Sequence, residues 1–490
     1  MIEPAEIGRG GAMGSCEWDL LEWGRSHCPG PWLQQFDTII QTATAQPTPQ
    51  RVLLLAKDPE IFIKHLVLAN DWAQRSPLWL FLGNPHWAAA EQQAAVEQIC
   101  PHQIWGDHHP PQGITNAQNT QNAQADPKGG SFLKHDQSYV AIATGGSSGK
   151  LKFAMHTWSS LRASVQGFCA YFKPESDRGK INSFCTLPLF HVSGLMQFLR
   201  CAWSGGTFQW GSYPKDPIVP FPKLPWIAAS QPTSNPPTPN GFISLVPTQL
   251  ARLLDNPGAI AWLKQFRVIL LGGAPAWPEL LERSRRVQLP LAPTYGMTET
   301  AAQVATLKPD DFLAGKTSVG QPLPHVQLKI APPNPEGPIL LQTPSLAAGY
   351  WRGEALNSDG WLTGDLGRLD PAGYLSVLGR RDDVILTGGE NVMPQEVEAA
   401  ILATGQVADV CVVGLPDPDW GQRVVAVWVP GGDHRKVGEL TLDQWNGLLG
   451  DRLSRYKHPK TWKKIHQLPR NNRGKLNRSA ITQWCLGQKG

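Results

Sequence analysis

No run of about eighteen apolar residues occurs anywhere in this 490-residue sequence, so it offers no membrane-spanning helix. The N-terminus has neither the basic segment nor the apolar one that directs export, and the expectation is a soluble, cytoplasmic protein. Cysteine is sparse. The eight cysteines, at positions 16, 28, 100, 169, 185, 201, 411 and 485, form no C-x-x-C pair and no Cys/His spacing suited to zinc, so they read as reduced, mostly buried thiols. A surplus of one charge is also missing: 44 basic side chains face 40 acidic ones, the net charge is +4, and the basic residues are scattered except near the C-terminus. That balance disfavours nucleic acid as a partner. The 20 tryptophans follow no repeat period and read as packing residues rather than a ligand cage.

What is present points to an α/β protein. Apolar bursts recur at 52–56, 78–82 and 268–271, separated by stretches that could be helical, the rhythm of buried strands alternating with helices. A chain this long suggests two or more domains. Segments 107–131, rich in Asn, Gln, Pro and Gly, and 213–240, rich in proline, read as surface insertions. From about 315 to 381 short strand-like pieces and turn signals indicate a small β-rich subdomain. Near Asp382 the pattern changes to strand, helix (395–402) and strand (407–413), which places a boundary between a large unit, 1–381, and a small one, 382–490.

The strongest chemical signal is Thr144, Gly145, Gly146, Ser147, Ser148 and Gly149, preceded by an apolar strand and followed by Lys150 and Lys152. Small hydroxyl-bearing residues let backbone amides approach phosphate oxygens, and the lysines add charge. It is not the common nucleotide P-loop, because three residues rather than four separate Gly145 from Gly149 and Leu151 occupies the magnesium-binding hydroxyl position. A flexible surface loop is the competing reading of any such run. Further on, a strand end delivers His191, Ser193 and Gly194 to a turn, and another ends in Gly272, Gly273 and Ala274, over which a flat ring could lie. Tyr295, Gly296, Thr298 and Glu299 offer an aromatic face, a hydroxyl and a hard-oxygen ligand for magnesium. Asp365 on a turn could accept ribose hydroxyls, and Lys475 follows a glycine on a basic tail. Each segment taken alone has an ordinary structural explanation.

Taken in order and spacing, these segments resemble the adenylate-forming superfamily of acyl-CoA synthetases, peptide-synthetase adenylation domains and luciferases, from about 139 to 480. The turn at 187–194, the stretch 244–250, and Gly379-Arg380-Arg381-Asp382-Asp383 followed by Gly388-Gly389-Glu390-Asn391 look most like the 2-succinylbenzoate–CoA ligase family of menaquinone and phylloquinone biosynthesis. Gly145 stands where that superfamily commonly has serine, Leu151 where it has proline, and Asn391 where many members have arginine. The first 135 residues carry no motif of the superfamily.

The resemblance implies a large domain with a mobile small one, and ATP, magnesium and coenzyme A acting on a small carboxylic acid. A carboxylate first attacks the α-phosphate of ATP and expels pyrophosphate; the thiol of coenzyme A then attacks the acyl-adenylate and expels AMP. By motif, the 144–149 loop and Lys152 hold the β- and γ-phosphates, Glu299 magnesium, and Thr298 the α-phosphate. Gly272, Gly273, Ala274, Tyr295 and Gly296 frame the nucleotide, while Asp365 and Arg380 take the ribose. Lys475 bridges carboxylate and α-phosphate in the first step only, Asp382 is the hinge, and Gly388 and Gly389 line the thiol's path in the second. His191, Ser193 and Gly194 border the acyl pocket. No motif identifies the group for a second substrate carboxylate, for which Arg200 and the polar loop before Gly241 are guesses. A ligase for another aromatic or aliphatic acid, and a nucleotide-binding protein without catalysis, stay open.

Overall fold

The computed structural model describes residues 19–27, 50–107, 132–145, 151–172, 179–214, 220–228, 241–332, 335–431, 440–470 and 476–487. Four sheets organise them. The first is built from β1 (Gln50–Leu55), β2 (Leu78–Leu82), β3 (Gln103–Gly106), β4 (Tyr139–Gly145) and β5 (Leu151–Thr157), in the order β3-β1-β2-β4-β5. All its pairings are parallel except β4 with β5. Every residue of β2 is buried, as parallel strands covered on both faces require. One covering helix, Pro59–Arg75, shows how the cover forms. The Asp58 side chain caps it by accepting from the Glu60 and Ile61 amides, Pro59 supplies a preset φ, and Phe62, Leu66, Ala69 and Trp72 turn inward.

The second sheet comprises β6 (Asn182–Cys185), β7 (Phe208–Trp210), β8 (Gly241–Leu245), β9 (Val268–Leu271), β10 (Leu291–Met297), β11 (Ala302–Thr306) and β12 (Gln321–Pro322), in the order β12-β11-β10-β9-β8-β6-β7. Its β6 to β10 strands pair in parallel; β11 and β12 are antiparallel additions beyond β10. The helix Val192–Ser204 is buried from Gly194 to its end, which explains its nearly continuous apolar sequence. A third, antiparallel sheet, β13 (Gln327–Ile330), β14 (Glu336–Gln342), β15 (Trp361–Leu369) and β16 (Leu375–Arg380), is the β-rich texture seen in the sequence.

The fourth sheet holds β17 (Ile385–Thr387), β18 (Glu390–Val392), β19 (Val407–Asp417), β20 (Gly421–Pro430) and β21 (Thr461–Lys464). Sheet membership therefore changes between Arg380 and Ile385. Each buried apolar cluster of the described residues also lies wholly on one side of that turn. Arg478 fastens the last part together. Its guanidinium donates to both oxygens of Glu398 at 2.6 and 2.8 Å and to the Val412 carbonyl at 2.7 Å, with Nε 3.4 Å from Asp383 Oδ2. Among the described residues, no helix is long and apolar enough to cross a membrane.

Candidate active site

At the end of β10 the chain turns through a 3₁₀ helix, Thr298–Thr300, and returns along β11. Ala301 and Ala302 lie in the left-handed region at φ 51° and 82°, a local strain that the surrounding packing must hold. A register shift falls between Tyr295 and Gly296, and a Cβ at Gly296 would lie 2.0 Å from the Ala302 carbonyl oxygen. Only glycine lets the chain close on itself there. The turn is tied from two sides: His156 Nε2 faces the Thr298 carbonyl at 2.7 Å, and the Ala347 amide donates to the Glu299 carbonyl at 2.8 Å. Burial lowers the His156 pKa to about 4, so the imidazole is neutral and its Nε2 carries the proton given to Thr298.

Opposite this turn, β4 continues through Thr144 and Gly145, which pair with Lys152 and Leu151 of β5. The glycine–serine loop thus joins two antiparallel strands, with a strand rather than a helix after it, the physical reason the P-loop pattern fails. Gly146, Ser147, Ser148 and Gly149 lie outside the described residues. Thr144 Oγ1 is 3.4 Å from Glu299 Oε1, and the Tyr350 hydroxyl donates to the same oxygen at 2.9 Å. Lys152 Nζ stands 5.2 Å from the Tyr350 ring centroid. Burial and the Glu299 charge push the Tyr350 pKa up, which keeps its phenol a donor.

A second cluster lies beside the first. The Tyr295 hydroxyl donates to Asp365 Oδ2 at 2.7 Å, while Arg380 Nη1 is 3.3 Å from Asp365 Oδ1 and its Nη2 3.8 Å from Asp382. Burial, then Asp365, raises the Tyr295 pKa. A Cβ at Gly364 would come within 2.6 Å of Arg380 Nη2, so the missing side chain makes room for the guanidinium. Gly272 backs onto Thr294, next to Tyr295, and Gly273 and Ala274 are exposed at the mouth of β9.

The other expected residues are spread more widely. His191 is the N-cap of the helix Val192–Ser204, with Ser193 exposed and Gly194 packed on the Pro188 carbonyl. Gly388 and Gly389, at φ 58° and 83°, form the tip between β17 and β18. No hydrogen bond or ion pair among the described residues joins that tip to Thr144, Glu299 or Asp365. Asp382 sits in the short turn Arg381–Asp383, and Lys475 lies outside the described residues.

Among the described residues, no group of three or more His, Cys, Asp or Glu side chains could hold a metal ion. One buried carboxylate, Glu299, is what a cation at this corner would find. That suits magnesium, which keeps water and phosphate oxygens as its other ligands, and does not suit zinc.

The family described as AMP-binding enzyme matches residues 80–351, and its C-terminal domain matches residues 396–475. This chain belongs to the AMP-binding enzymes. The 2-succinylbenzoate–CoA ligase of Bacillus anthracis (strain A0248) is 34% identical to it over 358 residues, 71% of this chain and 70% of that protein. The ligase of the same name from Bacillus cereus (strain Q1) is 33% identical over 372 residues, 73% of each chain. Among solved structures, o-succinylbenzoate CoA synthetase from Bacillus subtilis, in complex with its acyl-adenylate intermediate, matches with a TM-score of 0.72 at 23% identity, covering 95% of this chain and 98% of that one. ATP-bound MatB from Rhodopseudomonas palustris matches at 0.70 and 21% identity, covering 95% and 92%. These neighbours show the adenylate-forming fold.

For an AMP-binding enzyme, three side chains stand out that no motif flagged. His156 and Tyr350 hold the Thr298–Glu299 turn. Arg200, a guess from sequence, is 3% exposed on the helix Val192–Ser204, seven residues beyond Ser193 on the same face. Its guanidinium stacks 4.0 Å from the Phe168 ring centroid, and Nη2 donates to Gln303 Oε1. No acidic side chain among the described residues pairs with it, Nε has no partner among them, and burial lowers its pKa to about 10. A charged residue inside a nearly continuous apolar helix is the signal that could have found Arg200; His156 and Tyr350 have no such local signal.

Proposed function

We propose that this chain is an ATP-dependent acid–thiol ligase, which activates 2-succinylbenzoate as an acyl-adenylate and passes the acyl group to coenzyme A in menaquinone or phylloquinone biosynthesis. The observation that carries the reading is the convergence at the end of β10. There Glu299 meets Thr144 from 155 residues away, and Tyr295 meets Asp365 from 70 residues away. A carboxylate is a weak nucleophile, so rate must come from placing it and from neutralising phosphate charge.

The loop Thr144 to Gly149, with Lys152, holds the β- and γ-phosphates, and Thr298 meets the α-phosphate. Glu299 holds magnesium, whose charge when bound offsets that of the phosphates. Gly272, Gly273, Ala274, Tyr295 and Gly296 frame the adenine, and Asp365, already oriented by Tyr295 and Arg380, accepts the ribose hydroxyls. Lys475 neutralises charge between the carboxylate and the α-phosphate in the first step. Residues 1–381 form the adenylation domain and 382–490 a lid turning about Asp382; the change of sheet between Arg380 and Ile385 supports that division. After the turn, the Gly388–Gly389 tip borders the path of the thiol. Joint use of ATP and coenzyme A supports a cytoplasmic enzyme.

The relatives' names supply the substrate, at 34% identity over 70% of their length. The acid carries a second, non-reacting carboxylate, and Arg200 suits it: a buried cation without an acidic partner is stabilised by a ligand's anion. His191, Ser193 and Gly194 border the mouth of that acyl pocket. Purified protein given ATP, magnesium and coenzyme A should form thioester with 2-succinylbenzoate in strong preference to benzoate, coumarate or a medium-chain fatty acid. Preference for another acid would overturn the substrate, and no AMP release with any acid would overturn the enzyme reading.

A further inference from the structure

Glu299 is only 9% exposed, and both hydroxyls that reach it, Thr144 at 3.4 Å and Tyr350 at 2.9 Å, donate to Oε1. No described residue donates to Oε2. The Tyr350 ring at the same time faces the Lys152 ammonium at 5.2 Å, so one side chain touches both the carboxylate and the lysine beside the phosphate loop. Its backbone is held firmly. Ala348 and Trp351 donate to the carbonyls of Met155 and Phe153 on β5, Met155 donates back to the Gly349 carbonyl, and Ala347 donates to the backbone carbonyl of Glu299. The segment 347–351 thus lies along β5 as a fixed rail, and the Tyr350 hydroxyl enters the site from an element that cannot easily move away.

We propose that Tyr350 is a positioning residue for the cation-binding carboxylate: with Thr144 it engages Oε1, which leaves Oε2 as the oxygen offered to magnesium, and its ring couples that carboxylate to Lys152. A carboxylate engaged through one oxygen presents the other singly, which suits a small cation that keeps most of its water. The proposal rests on Glu299 being the magnesium ligand of the ATP site.

Its test is ATP binding by calorimetry to the whole protein, with magnesium and with EDTA. Tyr350→Phe deletes the hydroxyl and keeps the ring under Lys152. Wild type should bind ATP more tightly with magnesium; in Tyr350→Phe that gain should shrink about tenfold while binding in EDTA stays unchanged. Tyr350→Leu, which also removes the ring, should weaken binding in EDTA as well. A full magnesium gain in Tyr350→Phe would overturn the proposal, as would equal losses with and without the metal, which is what a general structural role produces. If Tyr350→Phe does not fold, Tyr350→Leu must lose clearly more affinity with magnesium than in EDTA, or the proposal fails. Wild type that gains nothing from magnesium would remove Glu299 as the ligand and overturn the reading beneath the proposal, a result distinct from failure of the variant alone.

Discussion

A guanidinium taken out of water costs several kcal/mol unless something answers its charge. At Arg200 the described residues provide an amide oxygen and an aromatic face, and no carboxylate. A structural role would make the residue an anchor whose loss destabilises; a ligand-binding role would make its loss costly only when substrate is present. Arg200→Leu should raise KM for 2-succinylbenzoate about ten- to a hundredfold, the range for a lost hydrogen bond to a charged group. KM for ATP should not change, and the melting temperature should hold or rise, because an apolar side chain replaces an unneutralised buried cation. Equal rises in both KM values, or a large loss of stability, would make Arg200 a packing residue.

Between elements, the link that matters is the one from β5 to the Thr298–Thr300 turn, made by His156. Its pKa is lowered from 6.5 to about 4 by burial. Above pH 6.5 the ring is neutral in both the folded and the unfolded chain. Between 6.5 and 4 the unfolded chain binds a proton that the folded chain refuses, so stability is lost as pH falls across that window, by up to about 3 kcal/mol at pH 4. Denaturant unfolding from pH 7 to 4 should show this slope, and His156→Gln should lessen it, leaving the part that the buried His102 and His325 contribute; an unchanged slope in the variant would place the acid sensitivity elsewhere. Elements with a local cause were legible in the sequence. β2 and β9 read as apolar bursts because strands in a parallel sheet are buried on both faces. The β4–β5 hairpin was not, because a glycine–serine loop has the same composition whether a helix or a strand follows. Tyr350 and His156 make their contacts across 51 and 142 residues, and nothing in their neighbours foretells such pairings.

At the scale of the molecule, the groups proposed to face ATP, Thr144, Tyr295 and Asp365 on β4, β10 and β15 and Glu299 in the turn after β10, all precede the change of sheet at 380–385, whereas Lys475 follows it in the sequence. Arg478, three residues beyond it, is bonded to Glu398 and lies beside Asp383 in the turn Arg381–Asp383. Arg478 thereby ties the helix Arg478–Gly487 to the turn that carries the proposed hinge, Asp382. On the proposed function the two half-reactions depend differently on Lys475. The decisive measurement is the pair of half-reactions in Lys475→Ala. Adenylate formation from ATP and 2-succinylbenzoate should fall about a hundredfold or more, while thioester formation from presynthesised adenylate stays within about threefold of wild type. Equal losses in both steps would contradict a lysine that serves the first step alone, and with it the alternation of the small domain about Asp382.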